Sequence, residues 1–170
     1  MLEYSRLLLH LRSASKRQAG SPPPIVLGEI VEPVERLALG TIRQQRRRPR
    51  WWPLGGQSSL AIHEQDDNPL LFTIHRLWTW PRAWEIRDAD GTVVGRTRRG
   101  VILPWQSLIT AISAVHQGQT LIFLTPAGKQ LGTLLSQEEG LLLAFAEELH
   151  EDPLTKMLLL GAVLGWNLLP

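Results

Sequence analysis

The sequence predicts a mainly β domain whose antiparallel strands enclose one apolar helix near the C-terminal end of the chain. Residues 157–166 contain neither a charged side chain nor a side-chain amide, so a helix there is apolar or small on every face and must be covered. Upstream, short apolar runs alternate with turn residues at intervals too short for crossover helices. That pattern is typical of antiparallel strands and hairpins.

The start of this helix is well marked. Asp152 can accept hydrogen bonds from the first free N–H groups, Pro153 suits the first helical position, and Glu151 complements the helix dipole. We therefore predict a helix over residues 153–169. The sixteen residues from Leu154 to Leu169 span only ~24 Å, whereas the hydrocarbon layer of a bilayer is ~30 Å thick. We expect the helix to be covered by protein and not by lipid.

Composition indicates one domain and an uneven charge distribution. A chain of 170 residues can bury a single core around a central helix. Cysteine is absent, which excludes disulfides, thiolate metal sites and a cysteine nucleophile. The net charge is +2, but residues 1–60 carry +6 and residues 101–170 carry −4. This asymmetry favours a surface for an anionic partner, with a flexible basic tail as the alternative.

The first 24 residues are predicted to form a segment separate from the domain. Their apolar run is too short for a secretory signal and contains an early acid, so we expect a cytoplasmic protein. Leu7, Leu8 and Leu11 with nearby basic residues suit a short amphipathic helix; docking on the domain or disorder is favoured over membrane attachment. Residues 21–24 are Ser-Pro-Pro-Pro and predict a stiff linker. The domain then covers residues 25–170.

Eight strands follow from apolar alternation and turn residues. In residues 83–88, alternation directs Trp84 and Ile86 inward, and Glu85 and Arg87 outward. Residues 105–116 fit a helix or a strand, and residues 138–150 favour a further strand over a helix. The eight strands are predicted near 25–31, 37–43, 59–63, 70–77, 83–88, 92–98, 120–125 and 129–135.

A glycine-containing unit recurs among these strands. A turn glycine is followed four residues later by a second glycine within a strand, at Gly91 and Gly95 and again at Gly128 and Gly132. Leu39-Gly40 repeats the second half. The first glycine permits the positive φ of a hairpin turn, and the second permits a bulge or a close approach of the backbone to a neighbour.

The order of these features resembles a known superfamily. The pattern D-x-x-G-x-x-V-G at Asp88–Gly95, its partial recurrence up to Gly132, and the closing Glu151-Asp152-Pro153 with an apolar helix are similar to phospholipid scramblases and tubby-like proteins, including LURP-one-related members. The resemblance covers roughly residues 25–169. It implies a twelve-stranded antiparallel barrel around a central helix. Members of the superfamily bind phosphoinositides, have been assigned lipid scrambling, or act in transcription.

The segment Arg43–Pro53 is the densest candidate site. Arginine pairs bidentately with phosphate oxygens and tryptophan settles at the headgroup layer, so this combination suits an anionic membrane surface. At ~1 kcal/mol for each basic residue, five arginines supply ~5 kcal/mol, enough for reversible attachment to the inner membrane face. The predicted lipid-binding residues are Arg43, Arg46, Arg47, Arg48, Arg50, Trp51 and Trp52, extended by Arg96, Arg98 and Arg99 if these are adjacent.

Two other interpretations of that segment stay open. It is equally compatible with a solvated loop whose tryptophans pack against the barrel. The same residues could hold a nucleic-acid backbone while the tryptophans stack on bases, although no sequence-reading motif supports this. Trp78, Trp80 and Trp84 have even spacing, which favours packing in the core or at the rim over membrane anchoring.

The remaining motifs predict structure and not chemistry. Asp88–Gly91 favours a turn over a calcium loop, because the twelfth position is Arg99 where a glutamate is required. Gly128-Lys129 is likewise a turn, and Gly161 and Gly165 favour close approach of the helix to the sheet over a membrane helix pair. The histidines lack ligand spacing, and no serine lies in a nucleophile elbow. We therefore predict no catalytic residue, metal or cofactor, and rank an enzyme last.

Overall fold

The structure, a computed structural model, describes residues 1–11, 25–47, 57–65, 69–79, 81–105 and 111–169. Twelve strands, one short 3₁₀ helix and one α-helix form the described part of the chain. The strands are β1 (Arg6–Leu11), β2 (Ile25–Val31), β3 (Ala38–Arg47), β4 (Gln57–Glu64), β5 (Leu70–Leu77), β6 (Ala83–Asp88), β7 (Val93–Arg98), β8 (Val101–Pro104), β9 (Ile112–Gln117), β10 (Thr120–Leu124), β11 (Gln130–Gln137) and β12 (Gly140–Phe145); the 3₁₀ helix is Glu147–Leu149 and α1 is Pro153–Leu168.

The strands close into one antiparallel barrel. Each strand pairs with the next along the chain, and β1 pairs with both β2 and β12, for example Leu9 with Ile30 on one side and with Leu141 on the other. Every described strand therefore has a neighbour on both sides, although β8 and β9 pair through only two residues each. The predicted fold class, a mainly β barrel enclosing a C-terminal apolar helix, is confirmed.

Helix α1 fills the barrel. Its residues from Thr155 to Gly165 are all buried, because the surrounding strands contribute inward-facing aliphatic and aromatic side chains to the same core. Asp152 caps the start: its carboxylate accepts from the Thr155 backbone nitrogen at 2.9 Å and from the Thr155 hydroxyl at 2.6 Å. The predicted start at Pro153 and the predicted enclosure by protein are confirmed.

The recurring glycine unit provides room for the helix. Gly91 and Gly128 have φ of 84° and 80°, as the hairpin turns require. Next to Gly95 and Gly132 the strand register shifts by one residue, so each lies beside a bulge. A Cβ at Gly95 would lie 2.6 Å from Leu158 of α1. The second glycines therefore remove side chains where the wall meets the helix.

Two glycines of α1 also allow the helix to lie close to the strands. A Cβ at Gly161 would lie 2.7 Å from the Cδ1 atom of Ile86, and one at Gly165 would lie 3.3 Å from the ring of Trp84. Trp84 and Ile86 both face inward on β6, as alternation predicted. The predicted close contact between helix and sheet is confirmed at both glycines.

The eight predicted strands are all present, with bounds within three residues except at the end of β3, which runs four residues further. Of the two ambiguous segments, 138–150 contains β12 and the 3₁₀ helix. The other contains β9, and its residues 106–110 lie outside the described residues. Strand β8 was missed because it is only four residues long and ends in a proline.

The predicted amphipathic helix near the N-terminus is wrong for residues 6–11. These residues form β1, and the barrel therefore includes a strand before residue 25. Leu7 and Leu9 face the core while Leu8 is buried on the other side of the strand, so three successive leucines suit a strand covered on both faces. Arg12, Lys16, Arg17 and the proline linker lie outside the described residues.

A buried lysine lies where α1 enters the barrel. Lys156 is 1% exposed, and its Nζ atom donates to the backbone oxygens of Leu2 at 2.8 Å and Tyr4 at 3.4 Å. Burial lowers the pKa of Lys156, and the carboxylates of Asp152 and Glu3 act in the opposite direction. The lysine thus ties the first residues of the chain to the first turn of the helix.

Candidate functional site

Strand topology determines which connections share an end of the barrel. Because neighbouring strands are antiparallel and consecutive, the chain turns alternately at the two ends. The connections β1–β2, β3–β4, β5–β6, β7–β8, β9–β10 and β11–β12 belong to one end, which we call the basic end. The other connections, the N-terminal residues and the start of α1 belong to the opposite end, the acidic end.

By sequence, the connections at the two ends differ in charge. By sequence, the segments that join strands at the basic end contain seven basic and two acidic side chains, whereas the acidic end has two basic and ten acidic ones. The described charged residues of the basic-end connections are Arg82 and Arg99, with Glu138 and Glu139; by sequence, the parts outside the described residues add Arg12, Lys16, Arg17, Arg48 and Arg50. The described charged residues of the acidic-end connections are Glu3, Glu32, Glu35, Asp90, Glu147, Glu148, Glu151 and Asp152, with Arg36 and Lys129; by sequence, the part outside the described residues adds Asp66 and Asp67. Arg36 and Glu139 belong to connections of different ends and nevertheless lie 2.9 Å apart.

The helix dipole is opposite in direction to this charge distribution, so that each end of the helix lies near side chains of the opposite charge. Helix α1 begins at the acidic end, where carboxylates favour its positive N-terminus. It finishes at the basic end, where Leu169 accepts a hydrogen bond from the indole of Trp84.

The structure describes part of the predicted arginine segment. Arg43 lies on β3 opposite Ala61 and is half-buried. The backbones of Arg46 and Arg47 form the last two residues of β3, at the basic end. Arg48, Arg50, Trp51, Trp52 and Trp80 lie outside the described residues.

The second predicted group, on β7 and the turn after it, is divided by its contacts. Arg96 lies 3.0 Å from the Glu85 carboxylate, and its guanidinium lies 5.3 Å from the centroid of the Trp105 ring. Arg98 and Arg99 are exposed at the β7–β8 turn, and neither is in an ion pair with any residue the structure describes.

The two arginine groups share an end of the barrel and do not touch within the described residues. Strands β4, β5 and β6 separate β3 from β7, a distance of about 19 Å around the wall at ~4.8 Å for each strand. Between the groups lies the β5–β6 hairpin with Trp78 and Arg82, both exposed. The β5–β6 hairpin therefore lies between β3, which carries the first arginine group, and the β7–β8 turn, which carries the second.

Even spacing did not bring the tryptophans to a common side. Trp84 packs in the core as predicted, but Trp78 is 67% exposed. Strand β5 ends at Leu77 and β6 begins at Ala83, so a hairpin turn separates the two tryptophans and the extended spacing is interrupted. The prediction of a packed tryptophan is therefore wrong for Trp78.

Glu85 was not identified from the sequence as the carboxylate that forms ion pairs with two arginines on the outer wall of the barrel. It points outward as predicted but is only 4% exposed, because Arg87 and Arg96 cover it at 2.6 Å and 3.0 Å. Burial raises its pKa, but hydrogen bonds from Arg87 and then Arg96 outweigh burial, so its pKa is lowered. The cross-strand pair of Glu85 with Arg96 is invisible until the register is known.

The two candidate turns are confirmed as turns. Asp88 accepts from the Thr92 backbone nitrogen at 2.8 Å, and Thr125 accepts from that of Lys129 at 3.1 Å. Within the described residues, no three metal-ligating side chains lie close enough to hold an ion.

A surface cavity of about 350 Å³ opens on the outer wall of β1 and β2. It is lined by His10, Leu11, Glu29, Val31, Arg36 and Glu139. Two of its charged groups already satisfy each other, since Arg36 and Glu139 lie 2.9 Å apart. The lining residues include no serine, threonine or lysine.

Comparison of the chain with protein-family models, with curated proteins and with solved structures found no match. In the part of the chain that the structure describes, no helix has the length and apolar character needed to span a membrane.

Proposed function

We propose that the protein is a non-enzymatic barrel, related to phospholipid scramblases and tubby-like proteins, that binds anionic phospholipid headgroups at a membrane surface through its basic end. The observation that carries the proposal is the charge of the connections between strands: by sequence, those at the basic end contain seven basic and two acidic side chains, and those at the acidic end contain two basic and ten acidic ones. Basic side chains attract anionic headgroups, and acidic side chains are repelled by them.

The residue types at the basic end suit headgroups. The guanidinium groups of Arg98 and Arg99 are exposed and have no ion pair among the described residues, so phosphate oxygens can bind them without displacing a carboxylate. Trp78 is exposed on the neighbouring hairpin, where an amphipathic ring fits the headgroup layer. The arginine segment continues this chemistry by sequence from β3 into the β3–β4 connection.

Attachment of this kind is reversible and depends on salt. Each basic residue close to an anionic surface contributes about 1 kcal/mol, and at ~0.1 M salt screening limits this attraction to distances of about 10 Å. We therefore expect the chain to bind vesicles containing phosphatidylserine or phosphoinositides at low salt and to release them as salt is raised.

Co-sedimentation with vesicles tests the proposal. The variant Arg46→Gln/Arg47→Gln/Arg48→Gln/Arg50→Gln should sediment with phosphatidylserine vesicles much less than the unmodified chain at the same salt. Vesicles of phosphatidylcholine alone are the lipid control. Equal binding by the variant contradicts the proposal, and so does salt-sensitive binding to DNA or RNA in place of lipid.

A further inference from the structure

Exposed apolar side chains lie among the arginines of the basic end. Trp78 on the β5–β6 hairpin is 67% exposed, Val101 at the start of β8 is 38% exposed, and Val115 on β9 is 45% exposed. Arg82, Arg98 and Arg99 lie on the same hairpins and are also exposed. We call these six residues the rim patch.

The rim patch follows neighbouring hairpins of the barrel. Arg98 pairs with Val101 across the β7–β8 turn, and Val101 pairs with Ser113 on β9, two residues before Val115. The inward-facing neighbours Ile102 and Ile112 are fully buried, which directs Val101, Ser113 and Val115 to the outer surface. The apolar and cationic members of the patch therefore present outward at one side of the basic end.

We propose that the rim patch inserts its apolar side chains between the headgroups of an anionic membrane while its arginines bind the phosphates. This inference rests on the proposed function. It adds which face of the barrel contacts the membrane and states that apolar side chains enter the headgroup layer. Charge complementarity selects the membrane as the occupant, because the arginines of the patch form no ion pair with described residues.

Exposed apolar side chains are also present at the acidic end, but there they lie beside carboxylates. Val34 and Leu37, on the β2–β3 connection, are 81% and 52% exposed, so apolar exposure alone does not single out the rim patch. Glu32 and Glu35 lie in the same connection. An anionic surface repels these carboxylates, so Val34 should stay in water when the chain binds vesicles.

A fluorescent label tests this directly. The chain contains no cysteine, so Val115→Cys and Val34→Cys each carry one environment-sensitive fluorophore at a defined position. With vesicles of phosphatidylcholine and phosphatidylserine, the label at position 115 should shift to shorter wavelength and be quenched by lipids that carry a quencher near the headgroup. The label at position 34 should change little.

A second pair of variants measures the contribution to affinity. Val101→Thr/Val115→Thr keeps β-branched side chains but removes apolar surface, and should weaken vesicle binding roughly tenfold without changing its salt dependence. Val34→Thr/Leu37→Thr is the matched control at the acidic end and should bind like the unmodified chain.

Each outcome decides the inference. If the chain binds vesicles but the label at position 115 stays in water, the rim-patch contact is overturned and the proposed function stands. If the unmodified chain binds no anionic vesicle, both fail. A label at position 115 that becomes protected without vesicles, in proportion to protein concentration, would identify a second copy of the chain as the occupant and overturn the membrane contact.

Discussion

The indole nitrogen of Trp84 donates a hydrogen bond to the backbone oxygen of Leu169 at 3.2 Å. This bond joins β6 to the residue that follows the last turn of α1, and the same ring lies against Gly165. The end of the helix is thereby held at the basic end of the barrel.

Replacing Trp84 tests this connection. Trp84→Phe keeps an aromatic ring but leaves the Leu169 oxygen without its partner, so we expect the free energy of unfolding to fall by about 1–2 kcal/mol. Urea unfolding measures the change. Trp78→Phe is the control, since Trp78 is exposed, and equal stability of both variants would contradict a role for the bond.

The contact between Gly161 and Ile86 predicts a coupled pair of substitutions. Gly161→Ala should destabilise the protein by about 1–2 kcal/mol, although alanine favours a helix by ~1 kcal/mol over glycine, because the new methyl group meets the Ile86 side chain. In an Ile86→Ala background, the same change should stabilise. A double-mutant cycle by urea unfolding checks this, and an unchanged cost of Gly161→Ala would contradict the contact.

The buried carboxylate of Glu85 predicts a dependence of stability on pH. Its pKa is lowered from the ordinary value of 4.5, so the stability it contributes is present above 4.5 and is lost as the pH falls through the lowered pKa. Glu85→Gln should cost about 1–2 kcal/mol at neutral pH, because both arginine partners are partly exposed.

Urea unfolding at several pH values measures this effect. The difference between Glu85→Gln and the unmodified chain should shrink as the pH falls below 4.5. Glu138→Gln, at an exposed residue of the β11–β12 turn, is the control and should leave the pH profile unchanged. A constant difference across the acid range would show that the Glu85 carboxylate is not the titrating group.

Charge at the two ends predicts unequal effects of removing arginine. Arg98→Gln/Arg99→Gln should weaken binding to phosphatidylserine vesicles roughly tenfold or more at low salt, at about 1 kcal/mol for each arginine. Arg6→Gln/Lys129→Gln removes two exposed positive charges at the acidic end, where β1 begins at Arg6, and should leave the affinity almost unchanged. Equal losses in the two variants would mean that net charge, and not the basic end, controls binding.

Much of the fold is predictable because its signals are local. The helix residues 157–166 are apolar all round, Asp152 and Pro153 mark its start, and alternation such as that at Trp84 and Ile86 identifies the strands and their inward faces. The exceptions are β1 and β8, which are not predicted, and β9, which lies in a segment that fits a helix or a strand. Three successive leucines in β1 fit a helix or a strand equally, and β8 is too short to show a period.

The candidate site is less predictable because it depends on strand count. Each strand reverses the direction of the chain. If the single strand β8 is missed, every later connection is therefore assigned to the wrong end of the barrel. The charge of the connections at each end, and the position of Trp78, Arg98 and Val115 at one end of the barrel, can be assigned only once all twelve strands are counted. The role of Glu85 is equally hard to predict, because the register between β6 and β7 determines that Arg96 lies opposite it.

The affinity of the chain for phosphatidylserine vesicles, measured over a range of salt concentrations, tests binding through the basic end most directly. We predict that affinity falls steadily as salt rises, that phosphatidylcholine vesicles bind weakly throughout, and that Arg98→Gln/Arg99→Gln reduces the dependence on salt. Affinity that is independent of salt, or equal for the two lipids, would contradict it.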